Sequence, residues 1–228
     1  MGAAARRPGQ RGQSRPECRP AVTAVDTKAM ARAERADLAD FLATLTTEEW
    51  DAPTLCSQWR VRDVVAHMFS YEDLSMLGLV RRMAKGAGKA NAAGVAELRD
   101  RSPDELVALV RDHLDPRGLT AGFGGRIALT DGTIHHQDIR RPLGRPRAIP
   151  AERLRVVLDF AKTAPTIKAK SRIAGLTLHA TDLDWQTGDG PLVEGSGESL
   201  LMALAGRSGV TSELSGPGVA TLAGRITT

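Results

Sequence analysis

Residues 126–144 read RIALTDGTIHHQDIRRPLG. The stretch follows a break at Gly122–Gly125 and is closed by Pro142 and Gly144, so it reads as one helix, with Ile127, Leu129, Ile134 and Ile139 as its apolar positions. Asp131 and His135 stand four apart within it, which puts a carboxylate and an imidazole on one helical face. A single amphipathic helix cannot bury its own stripe, so the flanking sequence must supply partners.

Working outward, it supplies three. Met30, Leu38, Phe41, Leu42 and Leu45 recur at helical spacing and predict a first helix of about five turns. A second begins near Arg60, with Val61, Val64, Val65, Met68 and Leu79 on its buried side. Gly86 to Gly94 reads as a flexible connection. Ser102-Pro103-Asp104-Glu105 is a capping box with Pro in the first turn, opening a third helix through Leu106, Leu109, Val110 and Leu114. Pro150 to Ala164 predicts a further short helix.

The texture changes after Thr166. Ile173 to Asp182 alternates in places, and Trp185 to Thr187 is separated by Gly188-Asp189-Gly190 from Leu192 to Glu194, which reads as strands joined by a Gly-rich hairpin turn. Short helices are expected over Glu198 to Ala205 and Val219 to Ile226. The fold class is therefore mainly α, a bundle of four main helices followed by a small α/β unit. The expected organisation is a disordered basic tail over residues 1–25, the bundle over 26–165 and the α/β unit over 166–228.

Charge and composition narrow the function. The chain has 228 residues and a net charge of +4. Arg6, Arg7, Arg11, Arg15 and Arg19 against Glu17 account for that whole excess within the first 25 residues, and the rest balances to zero. A neutral body with only 8 aromatic residues offers little for nucleic-acid backbones or base stacking. No apolar run reaches the roughly 18 residues of a membrane span. Two cysteines cannot build a disulfide framework, and the expected location is the reducing cytoplasm. The bias of 25 Arg against 6 Lys is that of a high-GC genome.

The five histidines carry the chemistry. His67, among apolar residues of the second helix, is expected to face the bundle interior or its margin. Together with Asp131 and His135 it would give two imidazoles and one carboxylate, a set that leaves open positions on zinc or a similar divalent metal. Such pairs also arise as ordinary hydrogen-bonded core residues, and spacing alone leaves both readings standing. Asp138, three residues past His135, suits either a partner for an imidazole or an exposed ion pair with a nearby Arg. His113 is expected to be solvated at the end of the third helix, and His179 to face solvent or a cleft. Cys56 reads as a small residue packed beside Trp59.

Trp50-Asp51-Ala52-Pro53-Thr54-Leu55-Cys56-Ser57-Gln58-Trp59-Arg60-Val61-Arg62-Asp63-Val64-Val65-Ala66-His67 resembles the signature of the mycothiol-dependent maleylpyruvate isomerase family, a branch of the DinB-like four-helix metalloproteins. Asp131 to His135 with the run on to Gly144 resembles its second metal motif, and Ala180 to Trp185 with Gly188 to Pro191 resembles the start of its C-terminal unit. The resemblance runs from about residue 26 to the C-terminus. It implies a DinB-like bundle with His67, Asp131 and His135 as ligands of a divalent metal, zinc first, and mycothiol, a thiol of actinobacteria, as cosubstrate. The implied chemistry is thiolate addition to an activated double bond, rotation and elimination, or transfer of the thiol to a small electrophile. The family's characterised isomerase has Glu where this chain has Asp131, so the carboxylate reaches one methylene less far. The rival expectation is a non-catalytic metal-binding bundle for ligand sequestration or regulation.

Overall fold

The computed structural model describes residues 1, 2, 25–84 and 86–226; the expected basic tail lies almost wholly outside the described residues. In chain order the helices α1 (Thr27–Leu42), α2 (Thr47–Trp50), α3 (Val61–Phe69), α4 (Met76–Met83), α5 (Ala87–Glu97), α6 (Pro103–Asp112), α7 (Arg126–Arg140), α8 (Ala151–Ala161) and α9 (Ala169–Ile173) precede the strands β1 (Thr177–Ala180), β2 (Gln186–Thr187) and β3 (Leu192–Gly195). Helices α10 (Gly197–Leu204) and α11 (Val219–Ile226) follow, and 3-10 turns occupy Gly118–Ala121 and Ser208–Glu213. The architecture is mainly helical with a small sheet, as the sequence predicts. Helices α1, α3, α6 and α7 form the bundle, each packed against two of the others.

The starts of α1 and α6 are built from local side chains, the second as expected. Asp26 accepts from the N–H groups of Lys28 and Ala29, and Ser102 and Glu105 close the capping box of α6. One apolar core inside the bundle joins Leu38, Leu42, Trp50, Val61, Val65 and Leu106. A second joins Leu129 and Ile134 of α7 and Leu158 of α8 to Leu178, Val193 and the fully buried Leu200 to Leu204 of α10. Each fully buried Leu contributes about 1.5–3 kcal/mol relative to exposure. Helix α7 thus belongs to both cores, and α8 ties the bundle to the sheet.

Three local expectations are corrected. The second helix does not continue to Leu79. It ends at Phe69 because the chain turns to bury Glu72, which accepts from Arg35 at 2.5 Å, from the Thr120 hydroxyl at 2.6 Å and from the Arg117 N–H at 2.9 Å. Gly86 to Gly94 is largely helix α5. Its small residues allow close approach: a Cβ on Gly94 would lie 2.2 Å from the Ser70 hydroxyl oxygen. Gly188 to Gly190 is not a hairpin turn. The sheet order is β2-β1-β3, with β1 antiparallel to β2 and parallel to β3, so this segment crosses the end of β1. It passes so close that a Cβ on Gly188, whose φ is +87°, would meet the Leu176 carbonyl at 2.0 Å.

One buried charge network also holds α7 against α1. Glu34 is 1% exposed. Its carboxylate accepts from Nδ1–H of His136 at 2.9 Å, takes both ends of the Arg147 guanidinium, and accepts from Arg153 at 2.7 Å. Burial opposes ionisation of Glu34, but His136 and Arg147 overcome it and hold its pKa at about 2. Burial lowers the pKa of His136 to about 4, against the pull of Glu34, so the ring is neutral and its Nε2 accepts from Arg140 at 2.8 Å. Truncating one member of such a network leaves buried charges unpaired. Glu34→Ala is expected to lower stability by roughly 3–5 kcal/mol in urea unfolding at pH 7. Both folded-state values lie below the ordinary ones, so the wild type binds fewer protons than its unfolded chain. Stability is expected to fall with pH through the window from 6.5 to 4 for His136 and then from 4.5 to 2 for Glu34. Urea midpoints at pH 7, 5.5 and 4 check the first window; a flat profile contradicts it.

Candidate metal centre

Helices α3 and α7 cross with His67 facing Asp131 and His135. His67 Nε2 lies 3.9 Å from Asp131 Oδ1, and His135 Nε2 lies 3.5 Å from the same oxygen. All three donors fall within 4.8 Å of one another. Bonds of about 2.0–2.1 Å in tetrahedral geometry separate ligand atoms by about 3.3 Å, so the set is close to the spacing that one cation needs and slightly open. Asp131, although shorter than Glu, reaches both rings. Its side chain is 39% exposed while both imidazoles are nearly buried, which puts the open side of the centre at the carboxylate.

The rings are oriented by different means. His135 Nδ1 is 2.9 Å from Asp138 Oδ2, so that nitrogen carries the proton and the Nε2 lone pair points at the centre. Burial disfavours charge on His135, yet Asp131 and the Asp138 hydrogen bond raise its pKa well above the ordinary imidazole range. A dication held at Nε2 would take the place of that second proton. For His67, burial lowers the pKa to about 4, so its ring is neutral. Its Nδ1 is buried with no hydrogen-bond partner among the described residues, and the ring is positioned by Trp59, tilted against it at 4.7 Å between centroids, and by the edge of Tyr71 at 6.3 Å. Two lone-pair nitrogens and a carboxylate are a donor set that suits zinc and several other divalent ions.

A second donor cluster, Cys56, His135 and Asp138, lies on the other side of the His135 ring. Its charge is already met from within the protein. Arg207 donates through Nε to Asp138 Oδ1 at 2.7 Å and through Nη2 to Oδ2 at 2.6 Å, and lies 3.3 Å from the Cys56 sulfur. Burial opposes the ionised form of Asp138, but Arg207 and His135 outweigh it and keep its pKa well below the usual carboxylate range. This cluster is therefore internally satisfied and holds the His135 ring of the first one in place.

Asp138 meets both of its expected descriptions, as imidazole partner and as ion pair, but its carboxylate is fully buried and its Arg, partly exposed, lies 69 residues away. Cys56 is in contact with the site, at 3.2 Å from Asp138 and 3.7 Å from His135, beyond the expected packing beside Trp59. His113 is a correction: it is 6% exposed, with Nδ1 bonded to the Leu109 carbonyl at 2.8 Å and Nε2 facing Asp73 at 3.1 Å. The chain leaves α6 there and folds His113 inward beneath Arg35, which donates to its carbonyl. His179 in β1 is half-exposed and faces Glu194 at 2.9 Å. Arg207 was not legible in the sequence, where Ala205-Gly206-Arg207-Ser208-Gly209 carries no motif. Arg207→Ala, which strips a buried carboxylate of its main counter-charge, is expected to cost roughly 3–5 kcal/mol and to accelerate hydrogen exchange across α10. Unchanged exchange in α10 contradicts a bridging role.

Residues 31–118 match the family model described as the mycothiol maleylpyruvate isomerase N-terminal domain. Among solved structures, a histidine-to-alanine variant of the mycothiol-dependent maleylpyruvate isomerase superposes with a TM-score of 0.57 at 17% identity, covering 84% of this chain and 91% of that one. A second structure of the mycothiol-dependent maleylpyruvate isomerase superposes at 0.52 with 16% identity over the same shares. No curated protein sequence matches. No helix among the described residues is long and apolar enough to cross a membrane. Residues 31–118 are thus similar to the mycothiol maleylpyruvate isomerase N-terminal domain, and the overall fold is that of the solved isomerase.

Proposed function

We propose that the protein is a metal-dependent enzyme that activates a small thiol, mycothiol, for isomerisation of, or transfer to, a small electrophilic substrate. The observation that carries this reading is the convergence of His67, Asp131 and His135 on one point with the open side at Asp131. In this reading residues 26–165 supply all three ligands and residues 166–228 supply Arg207, which holds Asp138 under His135. The family match and the shared fold support the choice of thiol and reaction class.

The residues have separate tasks. His67 and His135 would hold the cation through Nε2, and Asp131 would supply the negative charge that two neutral imidazoles lack. A divalent cation held by these three residues would supply Lewis acidity, which favours the thiolate, the nucleophilic form of a thiol. Asp138 keeps the proton of His135 on Nδ1, so its Nε2 cannot revert to a donor. Trp59 and Tyr71 cover His67 and keep water from its side of the centre, leaving the Asp131 side for thiol and electrophile.

Metal analysis of the purified protein is expected to give one divalent ion per chain. That content is expected to be lost in His67→Ala and His135→Ala; wild-type content in both variants rejects the site. Asp138→Asn retains the metal but weakens it by about 10–100-fold in chelator competition, the usual effect of removing a ligand's hydrogen-bond partner. Incubating the loaded protein with mycothiol and a panel of electrophiles that includes maleylpyruvate tests the activity. Tight metal binding with neither isomerisation nor thiol consumption favours a sequestering or regulatory module.

A further inference from the structure

Helix α7 has a second functional face. Asp131, His135 and Asp138 lie on one side of it, whereas Gln137, Arg140 and Arg141 lie on the other. With Gly144, Arg145 and Glu198 they line a cavity of about 230 Å³ between the end of α7, the following loop and the start of α10. We propose that this cavity is a binding site for a small oxyanion, a phosphate or carboxylate group, with Arg140 as its principal ligand. The proposal does not depend on the reading of the metal centre.

Three guanidinium groups face one carboxylate there, and two of the three are already matched. Arg141 reaches Glu198 at 2.8 Å and Glu213 at 2.6 and 3.0 Å, and Arg145 reaches Glu49 at 2.7 Å. Among the described residues no carboxylate lies within ion-pair distance of Arg140. Its Nε donates to the neutral His136 ring at 2.8 Å, its Nη1 to the Arg145 carbonyl at 3.1 Å, and its guanidinium lies over the Phe41 ring at 3.8 Å. These contacts fix the side chain without neutralising it, and Nη2 has no hydrogen-bond partner among the described residues. A rigid, unmatched guanidinium is prepared for a planar or tetrahedral oxyanion at little further cost in rotamer entropy.

The surroundings favour an anion over a second cation. Burial and the neighbouring Arg147 lower the pKa of Arg140, the mark of a cation held without its counter-charge, although Glu34 and Asp37 act in the opposite sense from further off. The end of α7 would normally present carbonyl oxygens that repel an anion. Here the carbonyls of Gln137, Arg140 and Arg141 are taken by the N–H groups of Arg141, Arg145 and Gly144 at 3.0, 3.1 and 3.1 Å.

The test is thermal unfolding of the full chain in inorganic phosphate, and separately in malonate, against chloride at equal ionic strength. A saturable rise in melting temperature is expected with at least one of them, and the tighter of the two identifies a phosphate or a carboxylate source. Arg140→Gln is expected to weaken the effect at least tenfold. Arg145→Gln, which alters a side chain 37% exposed, is expected to weaken it several-fold and decides the matter if Arg140→Gln does not fold. His67→Ala, on the opposite face, is expected to leave the effect intact. No saturable rise with either anion, an unchanged rise in the arginine variants, or its loss in His67→Ala overturns the proposal.

Discussion

The organisation of the molecule rests on one buried carboxylate. Asp138 is fully excluded from solvent, and a carboxylate in that position is sustained only if its charge and lone pairs are met. Arg207, just past α10, meets both oxygens, and His135 and Cys56 complete the shell. The docking of the C-terminal unit and the orientation of an imidazole in the candidate metal centre are therefore one interaction. Neither half of the chain can be displaced without exposing charges that the other half holds.

Helix α7 is arranged around this constraint. One face carries the donors, and the adjacent faces carry His136 against Glu34 and Arg140 against Phe41. A chain with few aromatic residues fills its cores with Leu, Val and Ala and uses buried arginine–carboxylate networks to fix the register of its helices. Of its few rings, Trp59 and Tyr71 are placed against His67. Small residues perform the complementary task where backbones approach closely, as at Gly94 against Ser70.

The four bundle helices were legible because their signals are local. Ser102 with Glu105 and the apolar spacing of α1 and α7 each act within a few residues. Where the reading failed, a distant partner decided. Nothing near Phe69 announces that the chain will leave its helix there, because the cause is Arg35 waiting for Glu72 across the bundle. Nothing in Gly188-Asp189-Gly190 distinguishes a hairpin turn from a crossing, because the choice depends on which edge of β1 the next strand takes. Solvation was expected of His113 for the same reason: its partners Asp73 and the Leu109 carbonyl meet it only after the helices pack.

For the candidate centre, the i,i+4 spacing placed Asp131 and His135 on one face by helical geometry alone, and the run around His67 marked it as a residue of the bundle interior. Those are properties of periodicity, and the sequence by itself determined them, together with the mainly helical class and the neutrality of the body outside its basic tail. Tertiary structure alone decided that His67 lies across from that face, that Arg207 stands beneath His135, and that Arg140 lines a cavity without a carboxylate partner. Each of these depends on distances between residues tens of positions apart, which are set by how helices cross and which charges must be buried together.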